Sequence, residues 1–245
     1  MRLYGDLSWL WSEVTPAGTY TNEAQDLCEI VSAALGRSPK NILELGAGGG
    51  YLLHDVQAIC PDIEVTLVDS SEKMLVEAGL RNPNAKIIHA DMTMLDLREQ
   101  FDVILLHDAV MYLEDTSMVA KVLDIMRAHI SRDGVAVVVP DVCKETFEER
   151  VLTAEAEGER ARVHFTEWHW DFDPKSDRVA VEFSVLIREH GHDIVQSHHE
   201  THPMLVLSLG DWLEIFQQNR WMQDFPITPW VHGGEFFLLR PSHIK

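Results

Sequence analysis

The chain has 245 residues, 46 % of them apolar, and carries 40 acidic against 20 basic side chains for a net charge of −20. That length fits one α/β domain with an elaboration, and the apolar content can fill a sizeable core. A field so negative repels a phosphate backbone, which argues against nucleic acid as a partner. Residues 1–40 read as an aromatic-rich lid, with Tyr4, Trp9, Trp11 and Tyr20, leading into a helix. From Asn22 the apolar positions Ala24, Leu27, Cys28, Val31, Ala34 and Leu35 recur at helical spacing, with Asn22 and Gln25 as a variant capping box.

Residues 41–142 read as an α/β core. The run Asn41-Ile-Leu-Glu44-Leu-Gly46-Ala47-Gly48-Gly-Gly50 is an apolar strand, an acid and a glycine-dense turn. Such a turn brings backbone close to a ligand where a side chain would clash. A dinucleotide fingerprint needs glycine at 51, where Tyr51 stands, so a nicotinamide cofactor is disfavoured. A second strand, Glu64-Val-Thr-Leu-Val-Asp69, ends in a carboxylate suited to a ribose. Ser70 and Ser71 follow as cap candidates for a helix through Met74. Ala85 to Asp91 and Met92, Phe101 to His107 and Asp108, and Gly134 to Asp141 give three more strands ending in acids. Their near-continuous apolar runs predict parallel strands buried on both faces.

Residues 143–207 change character. The charged stretch 144–162 reads as a solvated connection or helix. Three alternating runs follow, Val163 to Trp170, Val179 to Ile187 and Asp193 to Leu207, and predict an inserted antiparallel sheet. Residues 208–245 then supply a helix from Leu209 to about Asn219 and a closing strand, Glu235 to Arg240.

The spacing of Gly46, Gly48 and Gly50 after Glu44, with acids closing the next strands, resembles the class I S-adenosylmethionine (SAM)-dependent methyltransferases. The inserted sheet is similar to that of small-molecule N-methyltransferases, of the amino-sugar N,N-dimethyltransferase and glycine N-methyltransferase kinds. The resemblance implies a Rossmann-like, mainly parallel sheet with a closing antiparallel strand and an antiparallel lid. It implies methyl transfer from SAM, leaving S-adenosylhomocysteine, to a small-molecule acceptor. N-methylation is preferred, with O-methylation or a non-catalytic scaffold as alternatives. Tyr20, Glu44, Gly46, Ala47, Gly48, Gly50, Asp69, Ser70, Met74, Asp91, Met92, His107 and Asp108 fall on the cofactor-binding positions. Tyr112 falls on a polar or basic acceptor-side position, often histidine in the amino-sugar enzymes. Tyr112 and Tyr20 are thus the candidates for the chemistry, and a phenol is a poor base at neutral pH.

Trp168 and Trp170, two apart and so on one face of a strand, are expected to turn aromatic surface to the acceptor, with His198 and His199 beside them. The histidines lack zincin spacing and Asp141-Val142 lacks the Asp-Asn pair of catechol-type enzymes, so no metal is expected. No apolar run of transmembrane length or signal-peptide pattern occurs, so no membrane partner and a cytoplasmic location are expected. Cys28, Cys60 and Cys143 fit reduced, packed thiols. The oligomeric state is open, a homodimer being compatible with the pattern.

Overall fold

The computed structural model describes residues 1–171, 176–224, 226, 228–229 and 234–242. A short helix α1 (Leu10–Val14) and a long one, α2 (Thr21–Leu35), precede the first strand, β1 (Asn41–Leu45). Four strands and three helices follow. They run α3 (Tyr51–Ile59), β2 (Glu64–Asp69), α4 (Glu72–Arg81), β3 (Lys86–His89), β4 (Phe101–His107), α5 (Thr116–His129) and β5 (Ile130–Val139). β1 pairs in parallel with β2 and β4, β2 with β3, and β4 with β5.

Four strands β6 (Arg150–Glu157), β7 (Ala161–Trp170), β8 (Arg178–Glu189) and β9 (Gln196–Leu205) then form a separate antiparallel sheet in that order. The chain returns through α6 (Leu209–Gln218), β10 (Trp221–Gln223), β11 (Thr228–Pro229) and β12 (Glu235–Pro241). β12 is antiparallel to both β5 and β10, so the main sheet reads β10-β12-β5-β4-β1-β2-β3, with β11 on β12. The topology is that of the class I methyltransferase sheet with an antiparallel insertion.

The sheet is buried on both faces because alternate residues of its strands serve two cores. On β4, Val103 and Leu105 meet the side of α2 and α3, with Leu27, Val31, Leu53 and Val56. Ile104 and Leu106 meet the other side, where α5, α6 and the inner face of the inserted sheet join in one cluster. Leu3, Leu7 and Leu10 of the amino-terminal segment enter that second cluster, which wedges the segment between the two sheets.

Two local expectations change and a third, the choice between two candidate caps, is decided. The long helix starts at Thr21 with Tyr20 as its N-cap and no side-chain cap, so Asn22 and Gln25 form no capping box. The charged stretch after β5 is not all connection, since it contains β6. All but one of β6's residues are exposed, so its sequence carries no apolar alternation, and pairing with β7 alone holds it extended. Ser71, not Ser70, caps α4, accepting from the amide of Met74 at 3.1 Å. Cys28 and Cys60 bring their thiol sulfurs to 3.3 Å across α2 and α3. Among the described residues no helix is long and apolar enough to cross a membrane.

Candidate active site

The carboxyl ends of the parallel strands meet the glycine turn. Its backbone is fastened at three points. Gly46 and Ala47 donate to the carbonyl of Val68 at 2.8 and 2.9 Å, and Gly48 donates to Asp69 Oδ2 at 2.8 Å. The other oxygen of Asp69 accepts from Ser71 at 2.7 Å, so this carboxylate ties the turn to the start of α4. Gly46 has φ +71°, and a Cβ there would stand 2.2 Å from the Cβ of Ala109, so no other residue fits. Met74 lies beside Gly48 and Met92 beside Gly46, lining the turn with two thioethers. Asp91 stands exposed next to Met92 and accepts from the amide of Thr93 at 2.8 Å. Ser70 is exposed, and its carbonyl accepts from His89 Nε2 at 3.0 Å.

Behind the turn lies a concentration of acid. Glu44 on β1 is 4 % exposed, and its Oε2 has no hydrogen-bond partner among the described residues. Burial, and then the charge of Asp69, push its carboxyl up to about 8. β4 delivers His107 and Asp108 to the same place. Asp108 takes φ 55° and ψ −45°, a strained backbone for a residue with a side chain, and its amide is held by the Val139 carbonyl at 2.8 Å. A cavity of ≈ 240 Å³ opens there, lined by Tyr20, Glu23, His107, Asp108, Val139, Asp141 and Gly234.

Asp108 and Asp141 both line this cavity, close enough for each to shift the other's carboxyl. Enclosure in the cavity wall raises both carboxyls, Asp108 to about 6 and Asp141 well above the ordinary range, with Asp108's charge adding to the shift on Asp141. Adjacent carboxylates resist double ionisation, so the charge of Asp108 favours the protonated form of Asp141. The side chain of Asp108 is 40 % exposed, and its Oδ1 lies 3.1 Å from His107 Nε2. Tyr20 closes the opposite wall with its ring edge-on to His107 at 6.1 Å, and burial followed by the charge of Asp108 raises its phenol.

Tyr112, in the turn after β4, sits where three parts of the molecule converge. Its hydroxyl is 2.9 Å from that of Tyr4 and 3.0 Å from Nδ1 of His202 on β9. Tyr4 stacks on Trp11, ring centroids 5.7 Å apart, and its carbonyl accepts from the Ser71 hydroxyl. The Tyr112 side chain therefore joins the amino-terminal segment to the inserted sheet, and the Tyr4 backbone joins that segment to the start of α4.

The residues expected at the acceptor side divide by strand parity. On β7 the inward series is Val163, Phe165, Glu167 and His169, while Trp168 and Trp170 point to the outer face, where Trp168 is 49 % exposed. The two tryptophans expected at the acceptor therefore lie on the face of β7 opposite Phe165 and His169. Adjacent His198 and His199 split in the same way. His198 faces inward, Nδ1 2.7 Å from the Arg2 guanidinium, and His199 faces outward, 2.8 Å from Glu182. Sequence reasoning passed over Tyr4, Glu23, Asp141 and His202 as site residues. For His202 the signal was present, since it lies four positions from His198 and so on the same face. Among the described residues no group of three or more His, Cys, Asp or Glu is placed to hold a metal ion.

Residues 42–134 match the family model described as a methyltransferase domain. A malonyl-[acyl-carrier protein] O-methyltransferase of Bacillus anthracis is 29 % identical over 137 residues, 53 % of this chain, and the chain spans about half (49 %) of that relative's length. A dTDP-3-amino-3,6-dideoxy-alpha-D-glucopyranose N,N-dimethyltransferase of Streptomyces fradiae is 28 % identical over 204 residues, 80 % of this chain and 75 % of that protein. The sugar N-methyltransferase KedS8 from Streptoalloteichus superposes with a TM-score of 0.81, at 19 % identity over 97 % of this chain and 92 % of its own. The domain spans the glycine turn and the strand ends that carry Glu44, Asp69, Asp91 and Asp108, and the similarity to the Streptomyces relative extends well beyond it.

Proposed function

We propose that the protein transfers a methyl group from SAM to the nitrogen of a small-molecule amine. The observation that carries this reading is the glycine turn pinned by Asp69 together with the acidic pocket of Glu23, Asp108 and Asp141, with buried Glu44 near enough for its charge to act on Asp108. That arrangement fits the cofactor. At Gly48 a Cβ would meet only the Met74 side chain, at 3.5 Å, so the turn's backbone is open there, Asp69 keeps lone pairs for ribose hydroxyls, and the partnerless oxygen of buried Glu44 suits a cation. Gly46, Ala47, Gly48 and Gly50 would bound the amino-acid end with Tyr20, His107 and Asp108. Asp91 and Met92 would bound the adenine end with Met74 and Ser70.

When bound, SAM supplies a methyl group already activated on a sulfonium. The protein's share is positioning and the exclusion of water. The acidic pocket stabilises positive charge at the site, and Tyr20 and the amino-terminal segment wall it off. An amine must shed its proton before it can attack, so some group must receive that proton. N-methylation of an amino sugar is the acceptor class supported by the Streptomyces relative and by the two-sheet architecture, with a cytoplasmic setting in keeping with such metabolism.

Calorimetric titration with SAM, S-adenosylhomocysteine and NADH tests the reading. Micromolar binding of the first two and none of the third is the expected result. Silence toward SAM and its product would overturn the proposal.

A further inference from the structure

Tyr112 presents a chemical problem if the acceptor is an amine, as proposed above. Its phenol is raised by burial, so it does not ionise near neutral pH and cannot by itself hold a proton taken from an ammonium group. The group it is bonded to can. The His202 imidazole is fully buried on the inner face of β9, with Nδ1 3.0 Å from the Tyr112 hydroxyl. The rings of Phe183, Tyr4 and Tyr112 surround it at centroid distances of 4.7, 5.7 and 5.7 Å. Its other nitrogen, Nε2, faces Glu200 Oε2 at 3.7 Å. Glu200 is itself fixed, accepting from the backbone amides of Arg2 and Leu3 at 2.7 and 2.6 Å.

We propose that His202 is the final holder of the proton that an ammonium-form acceptor gives up, and that the proton reaches it through the hydroxyl of Tyr112. The hydrogen bonds order themselves for this. Tyr4 donates to the Tyr112 oxygen, Tyr112 donates to Nδ1, and the neutral ring keeps its own proton on Nε2, toward Glu200. In the step, the acceptor's N–H bond breaks and its proton goes to the Tyr112 oxygen. The original Tyr112 O–H bond breaks at the same time, and that proton goes to Nδ1. The phenol ends neutral, the amine recovers its lone pair, and the imidazolium faces the Glu200 carboxylate. His202 returns its proton to solvent before the next cycle.

The surrounding charges are consistent with a ring that starts neutral. Burial is the largest influence and lowers the imidazole below its ordinary range. Glu200 on β9 and Glu167 on β7 raise it, and the amino group of Met1 lowers it. Tyr4 and Tyr112 are both raised by burial, and both feel Asp108 and Asp141 in the cavity. His202 thus supplies from the lid the imidazole that Tyr112 lacks.

Two measurements on the full chain test the proposal. In ¹⁵N-histidine NMR between pH 5 and 9, His202 should appear as the Nε2–H tautomer at pH 7.5, and Tyr112→Phe should displace its Nδ1 resonance and its titration. An imidazolium at pH 7.5, or signals unmoved by Tyr112→Phe, overturns the relay. The second is the pH profile of methyl transfer to dTDP-3-amino-3,6-dideoxy-α-D-glucopyranose. His202→Asn and Tyr112→Phe should each lower kcat about 10- to 100-fold, remove the acidic limb, and be no worse in combination. Calorimetric affinity for S-adenosylhomocysteine should stay within about twofold, which separates proton transfer from folding. Unchanged kcat and pH profile in His202→Asn overturn the proposal. A wild-type protein that binds SAM but ignores this sugar overturns the amino-sugar reading alone, and the NMR result then decides the relay.

Discussion

The two sheets of this protein are built on opposite terms. Each central strand of the parallel sheet is packed on both faces, and its candidate site residues stand at strand ends or in the turns beyond, as Glu44, Asp69 and Asp108 do. The inserted sheet packs on one face only, and its site residues lie along the strands, where every second side chain points away. In the first sheet a site residue is fixed by where the strand stops. In the second it is fixed by parity, so a single step in register exchanges His202 for Thr201 or Pro203.

The most severe test of the parallel half is Gly46→Val. With φ +71° and Ala109 in contact range, the new side chain must distort the turn. Cofactor affinity should fall by at least about 100-fold, equivalent to roughly 3 kcal/mol. Normal binding by this variant would detach the turn from the cofactor site. Asp69→Ala should follow with a loss of about 10- to 100-fold, since it removes the ribose acceptor and the two hydrogen bonds that join the turn to α4. A folded variant with unchanged affinity would show that Asp69 serves the turn alone.

Glu44 gives a smaller effect that is legible in pH. Its carboxyl rises from an ordinary 4.5 to about 8, so the folded state keeps a proton that the unfolded chain has lost. Its contribution to stability is therefore complete below pH 4.5 and is lost as pH rises through 8. Between pH 6.5 and 8 this amounts to roughly 2 kcal/mol, or about 4–8 °C in Tm for a chain of this size. Asp141 acts in the same direction, so Glu44→Gln should shrink the fall in Tm on raising the pH without abolishing it. His202, lowered by burial, acts in the opposite sense and below its ordinary 6.5, outside this window. Equal slopes for wild type and Glu44→Gln would place the proton elsewhere.

How far the sequence discloses this molecule follows from the same contrast. A strand packed on both faces must be continuously apolar, and a turn that admits no Cβ must be glycine, so β1 to β5 and the Gly46–Gly50 turn are visible without a structure. The strand β6 is not. It pairs only with β7, its side chains largely face water, and Val151 and Leu152 are 59 % and 46 % exposed, so nothing in its composition separates it from a solvated connection. Strand periodicity places Trp168 and Trp170 together but does not say which face they share. That depends on the register Trp168↔Glu182 against Glu167↔Phe183, a tertiary fact. The pairing of Asp108 with Asp141, and of Tyr112 with Tyr4 and His202, joins segments far apart in the chain and has no local signature.

The smallest expected effect is the sharpest check on the parity argument. Trp168 is large, aromatic and close to the lid's inward residues in sequence, which makes it the natural choice for a binding platform. Its ring instead sits on the outer face, 6.2 Å from that of Trp170 and opposite Glu182, while its neighbours Glu167 and His169 point inward and bond each other at 2.6 Å. Trp168→Ala therefore removes half-exposed apolar surface and an aromatic contact, at a cost of about 0.5–1.5 kcal/mol in stability. It should leave kcat and the acceptor KM within about twofold of wild type. A tenfold rise in KM for the amino sugar would mean that the outer face of β7 takes part in binding, and the division of the lid into a working face and a solvent face would fail with it.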